Sequence, residues 1–92
     1  MDAVDWTPTA LRLLAAVWLA SANRNSVTAA VNLIDLVLAS APTTTGVIVF
    51  DTVREHTIPP LGFEFEVVDA TQQVFVLSCW DTATGRPAPT GN

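Results

Sequence analysis

The sequence predicts an α+β domain in which a short N-terminal strand leads into a helical hairpin, followed by an antiparallel sheet of three to four strands. Apolar residues recur at three- and four-residue spacing up to about residue 40. From residue 47 on, β-branched and aromatic runs alternate with polar residues and are bounded by turn residues. With 92 residues the chain has room for one modest core, placed at 1–80, with 81–92, rich in Thr, Pro and Gly, expected to be a mobile tail.

Ala3-Val4-Asp5-Trp6 is long enough for the first strand. Thr7-Pro8 is a helix start with a mechanism, because the threonine hydroxyl can cap free N–H groups and proline at the first helical position has a preset φ. Leu11, Leu14, Trp18 and Ala22 form one stripe of this helix, and Leu13, Val17 and Ala20 widen it to a second side. The stretch from Leu11 to Ala22 is interrupted by Arg12 and falls short of the ~20 residues a membrane span needs, so no membrane partner is expected. Asn23 to Ser26 breaks the pattern. Asn25 or Ser26 is then expected to cap a second helix carrying Val27, Ala30 or Val31, Ile34 and Leu38 at helical spacing. Leu33, Leu36 and Val37 lie off that stripe. Either they complete a broad core-facing arc, or, with Leu13 and Val17, they form a surface for a partner.

Pro42, three threonines and Gly46 end the helical region. Val47 to Phe50 reads as a buried strand, Asp51-Thr52 as a turn, and Val53 to Ile58 as a strand with Arg54 and His56 on one face. Pro59 to Gly62 is a corner. Phe63, Phe65 and Val67 alternate with Glu64, Glu66 and Val68 as in a strand with one buried and one wet face, and a turn at Asp69 to Gln72 leads into a last strand, Val74 to Trp80.

Half of the residues are hydrophobic and only 14% are charged, so some apolar surface should be buried in another chain. Nine acidic residues against four basic ones, all arginine, give a net charge of −5, which argues against tight non-specific nucleic-acid binding. The single cysteine, Cys79, has no partner for a disulfide or a zinc site and is expected to be a buried thiol; no cofactor or metal is implied. The acidic opening Met1 to Asp5 does not look like a secretory leader, and a cytoplasmic location is expected. Trp6, Trp18 and Trp80 are expected in or at the edge of the core.

The ordered set of these pieces resembles the RelE/ParE superfamily of toxin–antitoxin and plasmid-stabilisation proteins. Val4 to Leu11 is similar to the opening of that family, a strand ending in an aromatic followed by a Thr/Ser-Pro helix start. Trp18 falls on a common aromatic position. Asn25 to Ala30 with Ile34-Asp35 and Leu38 resembles the second helix, and Arg54, the Pro59 to Gly62 corner and the strands Phe63–Val68 and Val74–Trp80 follow in the family's spacing. The resemblance covers residues 3–80. It implies a toxin neutralised by an antitoxin protein, with the ribosome as target for RelE-like members that cut messenger RNA and DNA gyrase for ParE-like ones.

The sequence departs from RelE-like nucleases where their activity lies. Those present several basic residues on the sheet, whereas here the matching region offers Arg54 with Glu55 and His56, and the last strand ends Cys79-Trp80-Asp81. The catalytic reading makes His56 a general acid or base and Arg54 the phosphate contact. The competing reading pairs Arg54 or His56 with Glu64 or Glu66 across a wet face. Both a protein-binding toxin homologue, paired with an antitoxin or with itself, and an active ribosome-dependent RNase follow as hypotheses, beside a fold-sharing module unrelated to toxicity.

Overall fold

The computed structural model describes residues 2–85. The elements are β1 (Ala3–Trp6), α1 (Pro8–Ala20), α2 (Arg24–Ser40), β2 (Val47–Phe50), β3 (Val53–Ile58), β4 (Leu61–Val68), a short 3₁₀ turn at Asp69–Thr71, and β5 (Gln73–Asp81). The strands form one five-stranded sheet in the order β1-β5-β4-β3-β2. The α+β class and the helical hairpin are as the sequence predicts. The sheet differs in one respect: β1 joins it, parallel to β5, so it has five strands and is mixed. Backbone bonds explain why β1 stays there. Asp2 N–H donates to Ala39 O at 2.9 Å, Ala3 N–H to Gln72 O at 2.9 Å and Thr7 N–H to Val76 O at 3.0 Å, which ties both ends of β1 to α2 and β5.

The helix starts follow local chemistry. Thr7 Oγ1 accepts from Ala10 N–H at 3.1 Å and donates to Leu77 O at 3.4 Å, so one hydroxyl caps α1 and fastens it to β5. The cap of α2 is Asn23, whose Oδ1 accepts from Ser26 N–H at 3.2 Å, and not Asn25 or Ser26. Arg24 is therefore helical, and its guanidinium meets the end of α1. Nε donates to Trp18 O at 3.0 Å, Nη2 to Leu19 O at 3.1 Å, and Cζ sits 4.7 Å from the centroid of the Trp18 ring. Two carbonyls left over at the α1 terminus are satisfied by the first residue of α2, which sets the sharp turn between the helices.

Both helices lie on one face of the sheet. Ala10 from α1 and Val27, Ala30, Ile34 and Leu38 from α2 close over Leu61, Phe63 and Phe65 of β4 and Val74, Val76 and Cys79 of β5. In β4 the alternation is as the sequence implies, with Phe63 and Phe65 fully buried and Glu64 and Glu66 turned the other way. In β5 a bulge opposite Glu64/Phe65 inserts Leu77 and restores the inward phase for Cys79. Removing either core phenylalanine costs about 3–5 kcal/mol. Trp6 reaches from β1 to donate through Nε1 to Asp35 Oδ1 at 2.8 Å, holding α2 against the sheet's edge.

One expectation is corrected. Val47 to Phe50 is not a buried strand: all four residues are exposed, by 42–74%, because β2 is the last strand of the sheet and lies beyond the strands on which the helices chiefly pack. The last strand runs to Asp81, and Thr82 to Gly85 turn back on it, Gly85 N–H donating to Asp81 O at 2.9 Å. The remainder of the expected 81–92 tail lies outside the described residues.

Candidate functional site

Arg54 and His56 do share a face, as strand alternation requires, but it is the face that carries the helices. Arg54 is registered opposite Phe65 and His56 opposite Phe63. The His56 ring makes an edge contact with the buried Phe63, centroids 6.0 Å apart, and both Arg54 and His56 are half-buried. Arg54 Nη1 donates to Thr45 O at 3.5 Å, at the loop between α2 and β2. The cross-strand pairing with Glu64 or Glu66 therefore does not occur, because those glutamates belong to the opposite face. Near Arg54 a shallow pocket of about 190 Å³ takes in Thr43, Ile48, Asp51 and Asp69, so the guanidinium shares its surroundings with two carboxylates.

The face away from the helices is acidic. Glu55 is registered directly opposite Glu64, with Glu66 two residues along. Ser78 Oγ donates to Glu64 Oε1 at 3.2 Å and Thr52 Oγ1 to Glu66 Oε2 at 2.6 Å. Trp80 is on this face too, its buried indole lying where a Cβ on Gly62 would be; the sheet's own glycine makes the seat for the ring. Among the described residues no arginine projects from this face: Arg12 and Arg24 are on the helices and Arg54 is on the other side. Among the described residues, no group of three His, Cys, Asp or Glu side chains is placed to hold a metal ion. The Cys79 thiol is buried against α1, with Sγ 3.8 Å from Ala10 O, and burial pushes its pKa up to about 11, which leaves it a poor nucleophile.

A further concavity is apolar. Between α1 and α2 an open cleft of about 450 Å³ is lined by Leu11, Leu14, Trp18 and Leu19 of α1 and Val27 and Val31 of α2. It exists because α1 has a single charge in thirteen residues, so it is apolar on more sides than the sheet can cover. Of the partner-binding candidates, Leu33 and Leu36 are exposed, whereas Leu13, Val17 and Val37 are half-buried, the first two packed against the core. The cleft residues Leu11 and Leu19 and the β2 quartet were not singled out from the sequence as contact residues. The signal for α1 was present in its second apolar side; nothing in the run Val47 to Phe50 distinguishes an edge strand from a central one.

No protein-family model matches the chain, and no curated protein matches it. Solved structures do. The chain is similar to a chain of the RelBE2 toxin–antitoxin complex of Mycobacterium tuberculosis, with a TM-score of 0.73 at 17% identity, covering 87% of this chain and 90% of the other. It is also similar to a chain of the chromosomal ParDE system of P. aeruginosa, with a TM-score of 0.61, 20% identity and coverage of 88% and 96%. A mutant of the RelE toxin of E. coli, solved in the free state, matches with a TM-score of 0.66 at 11% identity, over 91% and 86% of the two chains. The fold is that of the RelE/ParE toxins, as the resemblance in sequence implies.

Proposed function

We propose that this chain is the toxin-like component of a type II toxin–antitoxin system, that it acts by binding proteins, and that it is ParE-like or catalytically degenerate. The observation that carries this reading is the apolar cleft between α1 and α2, about 450 Å³ and open to solvent, on a fold shared with chains solved as toxin–antitoxin complexes. An amphipathic segment of an antitoxin laid in that cleft would cover Leu11, Trp18 and Leu19, while the exposed Leu33 and Leu36, on another side of α2, offer a separate apolar contact. The net charge of −5 favours a protein target such as gyrase over an RNA substrate held by phosphate contacts. The ribosome-dependent RNase reading would have to work through Arg54 and His56 on the helix-covered side of the sheet.

The test is inducible expression of the chain in a bacterial cytoplasm, with and without the product of the neighbouring gene, alongside copurification of the two. Growth arrest relieved by the neighbour, and copurification lost on Leu19→Glu with the fold intact, is the expected result. Folded protein that neither slows growth nor retains the neighbour's product refutes the proposal. Messenger cleavage abolished by Arg54→Ala would favour the nuclease instead.

A further inference from the structure

The outer edge of β2 is apolar without interruption. Val47, Ile48, Val49 and Phe50 are exposed by 65, 60, 42 and 74%, and residues 43–50 contain no charge, in a chain whose net charge is −5. Edge strands are ordinarily protected by lysine, proline, an inward charge, short length or a bulge; this one is four residues long and bulged at Val49, but no charge or proline interrupts it. The strand order leaves β2 hydrogen-bonded on one side only, to β3.

We propose that β2 is the contact of a symmetric dimer, its occupant a second copy of this chain paired antiparallel across a two-fold axis between Ile48 and Val49. This is independent of the toxin reading and uses a different surface from the helical cleft. With the axis there, Val47 faces Phe50 of the partner subunit and Ile48 faces Val49 of the partner subunit, so each apolar side chain meets another. The same register settles the charges. Gly46 falls opposite Asp51 of the partner subunit, and the guanidinium of Arg54 already sits at Thr45 O, 3.5 Å away, one residue before Gly46. That is the guanidinium's one hydrogen bond among the described residues, so it has donors to give a carboxylate. Two Asp51–Arg54 pairs related by the axis therefore fix the register, whereas a parallel arrangement would set Asp51 beside Asp51.

The four side chains offer about 400 Å² per copy, roughly half of a standard interface, so the dimer is a reversible one. Val49 is bulged out of the pairing with β3. A short, bulged edge limits the strand addition to one partner, and the two-fold closes it.

Sedimentation equilibrium of the full chain across the micromolar range tests this. The wild type is expected to dimerise. Ile48→Lys and Phe50→Lys, each with an unchanged thermal midpoint, are expected to weaken the dimer at least about tenfold. Asp51→Asn keeps a residue tolerant of the left-handed backbone there, φ 51°, and is expected to weaken it severalfold, as is Arg54→Gln; the double variant should be no weaker than the worse single one. A wild type monomeric throughout, whether residues 86–92 or another protein takes the edge, overturns the proposal. So does a dimer that survives both lysine variants, and additive losses at Asp51 and Arg54 overturn the register.

Discussion

The alkaline limb of stability should belong to one atom. The sequence has no tyrosine, and all four of its basic residues are arginines, so Cys79 is the side chain left to titrate between about pH 9 and 11. Burial raises its pKa from 9.0 to about 11. Between those values the unfolded chain has released a proton that the folded chain keeps, so rising pH draws the equilibrium towards the unfolded state. The contribution is intact well below pH 9, falls by about 1 kcal/mol at pH 10 and approaches a loss of about 3 kcal/mol above the folded value. For a domain of this size the loss at pH 10 lowers the thermal midpoint by roughly 4–8 °C. Urea unfolding at about pH 8 and pH 10, on the wild type and on Cys79→Ala, measures it. The variant is less stable at both values because its truncated side chain leaves a void between Ala10 and Phe63, yet its stability should differ between them by less than ~0.3 kcal/mol. An equal alkaline loss in Cys79→Ala, or none in the wild type, refutes the assignment.

Gly46 and Gly85 both have positive φ, 67° and 79°, but a Cβ on Gly46 would collide with the backbone carbonyl of Glu55 whereas one on Gly85 meets open space. Gly85→Ala should cost about 1–2 kcal/mol from conformation alone, and Gly46→Ala clearly more, read as separate shifts in chemical denaturation. Asp35→Ala removes the acceptor for Trp6 Nε1 and should cost about 1.5–3 kcal/mol, with the tryptophan emission moving to longer wavelength as β1 loosens. Thr7→Ala removes the α1 cap and should cost about 1 kcal/mol in the same assay. Leu19→Glu, at a position 65% exposed, should leave the thermal midpoint within about 3 °C while reducing binding of a hydrophobic dye to the cleft.

Local chemistry made much of this fold readable. Thr7-Pro8 can act in few ways other than as a helix start, and the alternation of Phe63, Phe65 and Val67 with Glu64 and Glu66 has one solution once a single face is buried. What stayed hidden was set by neighbours distant in sequence. Four consecutive apolar residues suit a strand buried on both faces and an edge strand alike, and only the order β1-β5-β4-β3-β2 puts Val47 to Phe50 at the margin. Two asparagines two residues apart both fit a cap; Asn23 serves because Arg24, once helical, can satisfy Trp18 O and Leu19 O.

Arg54 and His56 show how far alternation reaches in reading the candidate site. It puts them on one face, which is correct, but it does not say which face. That is decided by the register with β4, which aligns them with Phe65 and Phe63 and so with the helices, leaving Glu55, Glu64 and Glu66 to define the open side. The consequence is chemical. Had β3 slipped by one residue, Arg54 and His56 would stand on the solvent face beside Glu64 and Glu66, a constellation suited to proton transfer and phosphate contact. In the register observed, Glu55, Glu64 and Glu66 line the open face, and the helical cleft and the β2 edge offer apolar surface for recognition.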